Sequence, residues 1–230
     1  MTWKRAVPLL LSLTLTAPAR AADAAHPVVV ELFQSQGCSS CPPANANLLG
    51  VVDRPEVLAL SFGVTYWDEL GWKDTFASPK FTARQWDYAH GLGHSQVFTP
   101  QVVVNGRQDG VGADSREFQG LIARGERAPR GPDLSIGSGQ VAIGAGATAQ
   151  AADVWLVRYD PRLVQVPIKR GENGGKTLPH RNVVRELTRL GAWRGAATRF
   201  ALPPAADPAL KTAILIQLPR GGAILAAARG

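Results

Sequence analysis

Val28-Val29-Val30-Glu31-Leu32-Phe33-Gln34-Ser35-Gln36-Gly37-Cys38-Ser39-Ser40-Cys41-Pro42-Pro43 is the stretch that decides how the first half of this chain folds. From Val28 to Phe33 every residue but Glu31 is β-branched, apolar or aromatic, the pattern of a strand buried on both faces. A turn through Gln34 to Gly37 follows. Pro42 and Pro43 then suit the first turn of a helix, where amide hydrogens have no intrahelical acceptor. Ala44 to about Val52 continues that helix. The spacing therefore predicts a cysteine pair at a helix N-terminus, on the end of a strand. Helix-terminal amides stabilise a thiolate. Cys38 is accordingly expected to be the exposed nucleophile, and Cys41, one turn inside, the thiol that resolves a mixed disulfide. Glu31, on the strand entering the turn, is a candidate to act on the proton of Cys41.

The chain has only these two cysteines. A disulfide across so short a loop removes little entropy from the unfolded chain. The pair is therefore read as chemistry rather than as a staple of the kind small secreted domains carry in numbers. Ser39 and Ser40 between them do not set the direction of electron flow. Zinc needs more ligands than two sulfurs provide. Copper(I) can be held by two thiolates, so a copper carrier using Cys38 and Cys41 is the competing reading. A third is an interaction protein whose disulfide is only structural. Beyond a redox-active disulfide, no cofactor or metal is expected, copper(I) on the carrier reading excepted.

Working outward, Val57–Phe62 reads as a second strand. Tyr66, Trp67 and Trp72 follow, placed either to line a substrate groove or to fill a core, with Asp68 and Asp74 as turn or capping residues. A helix is expected over Phe81–Ala89, capped by Ser78 and stopped by Gly91. Phe98-Thr99-Pro100 leads into the strand Gln101–Val104, which an Asn105-Gly106 hairpin turns back through Val111. A helix from Asp114 to about Arg124 completes an order of β-α-β-α-β-β-α.

A strand, a CxxC at a helix start and a Thr-Pro preceding a hairpin strand together resemble the thioredoxin superfamily. That resemblance implies a cis Thr99-Pro100 bond with Thr99 facing the cysteines. Thr99 and Pro100 thus join Cys38, Cys41 and Glu31 as candidate catalytic residues. More narrowly, the chain is similar to a family of exported thioredoxin-like proteins of unknown function, the uncharacterised domain numbered 1223. The matching stretches are Glu31-Leu32-Phe33 with Gly37–Ala44, Tyr66-Trp67-Asp68 with Gly71–Asp74, and Thr99-Pro100-Gln101 with Asn105-Gly106. Arg170–Asn173 and Asn182–Arg185 match as well. The family pattern has His and Asp where this chain has Gly63 and Thr65, so proton transfer near the cysteines is expected to be altered.

Arg130-Gly131-Pro132-Asp133 reads as a boundary. Beyond it come short β runs, Leu134–Ile136, Val141–Ile143, Val154–Tyr159, Leu163–Ile168, Ala213–Leu218 and Ala223–Leu225, separated by turns in the manner of a sandwich. Val183–Trp193 is read as a further strand. Arg170–Gly175 lacks the strand-then-helix setting of a phosphate loop and reads as a long hairpin connection. The expected fold is an α/β thioredoxin-like domain over 22–131 followed by an all-β, sandwich-like domain over 132–230.

Lys4 and Arg5, the apolar run Ala6–Leu15 and small residues ending at Ala21 predict a signal peptide over 1–21. The apolar run is too short to span a bilayer about 30 Å thick. Export to the periplasm or beyond follows, with no membrane-spanning segment left after cleavage. Residues 22–131 carry 9 Lys/Arg against 12 Asp/Glu, and residues 132–230 carry 13 against 6. The basic residues of the second half are scattered, which suits a solvated face better than a nucleic-acid site. The expected partners are protein thiols and disulfides or a redox protein, and not nucleic acid.

Overall fold

The computed structural model describes residues 22–125 and 131–230, so the expected signal peptide lies outside the described residues. The first half runs β1 (Val28–Gln34), α1 (Cys41–Leu49), β2 (Val57–Gly63), α2 (Pro79–Leu92), β3 (Gln101–Val104), β4 (Gln108–Gly110) and α3 (Ser115–Gly125). The second half is built of strands: β5 (Leu134–Gly137), β6 (Gln140–Ile143), β7 (Ala152–Asp160), β8 (Val164–Pro167) and β9 (Thr177–His180) come first. They are followed by β10 (Val183–Trp193), β11 (Thr198–Ala201), β12 (Lys211–Gln217) and β13 (Ile224–Arg229).

β1 is buried along its whole length because it lies between parallel β2 and antiparallel β3. Alternation along a strand sends successive side chains to opposite faces. Val28, Val30 and Leu32 pack with Leu48 of α1 and Phe118, Leu121 and Ile122 of α3. Val29 and Phe33 pack on the other face with Phe81 and Tyr88 of α2. The Asn105-Gly106 turn has φ of 51° and 60°, the doubly left-handed turn that this dipeptide favours.

Helix α2 is longer than its sequence pattern. Ser78 does cap it, accepting the Lys80 N–H, but the stop is Gly93 in the left-handed region rather than Gly91. Gly91 stays helical and lets a neighbouring turn close in. A Cβ there would stand 2.9 Å from the carbonyl oxygen of Gly221.

The sheet runs in the order β13-β12-β7-β10-β2-β1-β3-β4, across the boundary expected near Gly131. The join is β10 beside β2, with Val183 opposite Ser61. There the Ser61 N–H donates to the Asn182 carbonyl at 3.0 Å, and the Asn182 side chain donates to the Ala59 carbonyl at 2.9 Å. Without this partner β2 would end the sheet with a row of unpaired amides and carbonyls. The α2 face continues over β7, β10, β12 and β13 through Val157, Leu187 and Leu215. On the opposite face the small sheet β11-β6-β5 stacks over Val154, Leu156, Ile214 and Ile216. The layering there is that of a sandwich, but one of its sheets is the sheet of the first half. β8 and β9 form a separate hairpin near α1. The architecture is mixed α/β, with one large mixed sheet and additional antiparallel sheets. Among the described residues no helix is long and apolar enough to cross a membrane.

Candidate functional site

β1 delivers the chain into a tight turn. The Cys38 N–H donates to the Ser35 carbonyl at 3.1 Å, and the Cys41 N–H to the Cys38 carbonyl at 3.2 Å. Helix α1 begins at Cys41, with Ser40 as its cap and the two prolines just inside. Cys38 therefore precedes the helix by three positions, further out than expected. Cys38 and Cys41 form a disulfide with their Cα atoms 5.4 Å apart.

The expected exposure of Cys38 is not found. Cys38 is 0% exposed and Cys41 1%. The cause is the surroundings of the turn, built from three other parts of the chain. Trp67 and Trp72 flank Gly37, whose Cβ position lies 3.6 Å from Trp67 Cβ and 3.7 Å from the Trp72 carbonyl. Trp72 Nε1 donates to Gln36 Oε1 at 2.9 Å. Trp67 Nε1 donates to Thr99 Oγ1 at 2.7 Å while its ring packs on the α2-side core. These tryptophans therefore pack and position at once.

Thr99 and Pro100 are joined by a cis peptide bond. Ser40 links them to the cysteines: its Oγ lies 3.3 Å from Cys38 Sγ and donates to the Thr99 carbonyl at 3.4 Å. Four of the five expected site residues, Cys38, Cys41, Thr99 and Pro100, thus come together. Glu31 does not. It shares the face of Val29 and Phe33, opposite the face on which α1 packs. Its carboxylate accepts from Arg84 Nε at 2.7 Å, Arg84 Nη2 at 3.1 Å and the Tyr88 hydroxyl. Strand alternation turns it to the α2 side of the sheet, where Arg84 and Tyr88 hold it.

Asp74 holds the turn from below. Its carboxylate accepts the Gln36 N–H at 2.8 Å and the Phe76 N–H at 2.7 Å, while its own N–H donates to Asp68. The capping expectation for both aspartates fits these contacts. Burial pushes the Asp74 carboxyl up to about 6, against the pull of its amide donors. On the helix side Gln34 Nε2 donates to Asn45 Oδ1 at 2.9 Å and Ser61 Oγ at 2.8 Å, and Asn45 donates to the Pro179 carbonyl.

Sequence reasoning missed Asn173. It lies in the connection between β8 and β9, is 0% exposed, and donates through Nδ2 to the carbonyls of Gln36 at 3.0 Å and Cys38 at 2.9 Å. Its neighbour Glu172 accepts the Ser39 N–H at 3.1 Å, a contact that lowers the Glu172 carboxyl from its usual range. The available signal was that Arg170–Asn173 stood among the stretches matching the family, far from the cysteines in sequence.

Gly63 has its own reason. A Cβ there would lie 2.8 Å from the Phe76 carbonyl carbon and 2.9 Å from the Ala77 nitrogen, where a strand-like bridge forms. Thr65 bonds Thr82 through both its N–H and its hydroxyl, each at 3.0 Å. Among the described residues no three His, Cys, Asp or Glu side chains gather as a metal cluster.

A family model described as a protein of unknown function (DUF1223) matches residues 29–217, from β1 to the end of β12. The chain belongs to this family. No curated protein sequence matches the chain. Among solved structures, this DUF1223 protein is similar to protein AGR_C_4864 from Agrobacterium tumefaciens. The two are 33% identical with a TM-score of 0.74, over 92% of this chain and 95% of that one. It also shares a fold with HBP35 of Porphyromonas gingivalis at 14% identity. The TM-score there is 0.63, over 93% of this chain and 76% of that one.

Proposed function

We propose that this DUF1223 protein is an exported thiol–disulfide oxidoreductase that works through Cys38 and Cys41, with a thioredoxin-like first half over residues 22–131. The observation that carries the reading is the pairing of these cysteines at the start of α1 with Thr99 and cis Pro100 through Ser40. In the oxidised form a substrate thiolate attacks Cys38 Sγ and the S–S electrons leave on Cys41 as thiolate. A second thiol of the substrate releases the reduced pair and leaves as disulfide. The partners are protein thiols or disulfides in an oxidising compartment, and the second half braces the site.

The test is the reduction potential of the pair in glutathione or dithiothreitol buffers. A value between about −270 and −120 mV supports the reading, and one below about −300 mV overturns it. The burial of both sulfurs favours a second reading, a non-catalytic interaction protein with a structural disulfide. The lower potential is the result that reading expects.

A further inference from the structure

The connection between β8 and β9 is more than a hairpin loop. Asn173 spends both of its amide hydrogens on two backbone carbonyls of the cysteine turn, 137 and 135 positions away in sequence. Its Oδ1 accepts from Lys176 Nζ at 2.9 Å, so the side chain's orientation is fixed from behind. Glu172 adds the Ser39 amide at the outer edge. The loop seats against the aromatic segment by a glycine-to-glycine approach. The Cβ position of Gly71 lies 3.5 Å from Gly171 Cα, and that of Gly171 lies 3.3 Å from Trp72 Cβ. Gly171 has φ of 76°, which a side chain would strain. The loop is therefore a fitted part with a buried polar key.

Thiol attack on a disulfide needs a sulfur that the incoming thiolate can reach. With Cys38 and Cys41 at 0% and 1% exposure, the closed turn offers none. We infer that the 168–176 loop is a clasp over the cysteine turn, with Asn173 as its positioning residue, and that reduction of the disulfide proceeds only when the clasp lifts. The inference rests on reading the pair as a thiol-exchange site. Opening costs the two Asn173 hydrogen bonds and the Glu172 contact. A partner protein that binds the loop or the turn supplies that cost, and a small free thiol must wait for spontaneous opening. The clasp thus selects partners by contact rather than by reducing power.

The experiment measures the rate at which dithiothreitol reduces the disulfide of the full-length protein, followed by alkylation of the freed thiols. One dithiothreitol thiolate attacks Cys38 Sγ and expels Cys41 as thiolate. Its second thiolate then expels Cys38, leaving the cyclic disulfide of dithiothreitol and two protein thiols. Asn173→Ala is expected to raise the rate about tenfold, in line with the loss of a buried hydrogen-bonding side chain. Gly171→Ala keeps the Asn173 side chain but strains the loop's seat against Trp72, and is expected to raise the rate several-fold with a modest fall in melting temperature. Gly139→Ala is the control: φ there is 72° with nothing within 4 Å of the Cβ position, and the rate is expected to stay at the wild-type value.

Rates for Asn173→Ala and Gly171→Ala within twofold of wild type overturn the clasp. Should Asn173→Ala unfold, Gly171→Ala decides alone. The potential and the rate are separate readouts. A potential in the range of structural disulfides sinks the oxidoreductase reading while leaving the clasp measurable, and unaltered rates sink the clasp while leaving the potential where it is.

Discussion

The Asp74 carboxylate and the buried ring of His180 hold opposite proton preferences inside one small region of the fold. Both pack around Phe76: Asp74 accepts the Phe76 N–H, and the His180 ring meets the Phe76 ring edge-on at 5.4 Å. Burial raises the Asp74 carboxyl to about 6 and lowers His180 to about 4. Among the described residues His180 Nε2 finds no hydrogen-bond partner.

These shifts act on stability with opposite sign. Between about pH 4 and 6 folded Asp74 keeps a proton that the unfolded chain releases, so its contribution falls as pH rises through that window. Across nearly the same window His180 is neutral when folded and protonated when unfolded, so its contribution falls as pH drops from 6.5 toward 4. In the wild-type protein the two slopes are expected to offset each other. Asp74→Asn should leave stability that declines toward pH 4, and His180→Leu stability that declines toward pH 6, each by on the order of 3 kcal/mol. Urea denaturation at pH 4, 5, 6 and 7 checks this. Parallel profiles for both variants would refute it.

The Glu31–Arg84 pair is fully enclosed, with Arg84 also set against the rings of Phe62, Tyr88 and Trp155. Arg84→Met strands a buried carboxylate and is expected to cost about 3–5 kcal/mol. Adding Glu31→Gln should recover much of that loss. Because Glu31 faces away from α1, Glu31→Gln alone is expected to leave the potential and the pH profile of thiol exchange unchanged. Denaturant midpoints and glutathione equilibration report the two effects separately, and a moved pH profile would return Glu31 to the cysteine site.

Gly63→Ala tests the close approach of the Phe76–Ala77 backbone. Backbone rather than a flexible side chain stands under 3.0 Å from the new Cβ. The strand must move, at an expected cost of about 1–3 kcal/mol. The same movement should loosen Asp74, whose N–H and carboxylate lie in the adjoining segment. A melting temperature equal to wild type would show that the bridge yields freely.

Much of the site was legible where the relevant contacts are local in sequence. β1, the cysteine turn, the prolines inside α1, the Ser78 cap and the Asn105-Gly106 hairpin each follow from neighbouring residues. Thr99-Pro100 was located by resemblance, and the structure sets it beside Ser40. Glu31 was misplaced although the rule that places it, two-residue alternation, was already readable from Val30 and Leu32. The burial of Cys38 was not legible, because Trp67, Trp72 and Asn173, which pack around its turn, are brought there by tertiary packing. The strands of the second half were likewise visible as apolar runs. That β10 would pair with β2 was not, since one Asn182–Val183 step makes the join and runs of apolar residues do not name their neighbours.

That join has a consequence for anyone who would trim this protein. A fragment stopping before Gly131 would strip β10 from β2 and remove Val157, Leu187 and Leu215 from the α2-side core they share with Leu60 and Phe62. What remained would be a sticky open margin beside a greasy flat surface, the two features that drive chains to stack on one another. The half that carries the cysteine pair cannot be borrowed as a small tool. It travels with its second half or it clumps.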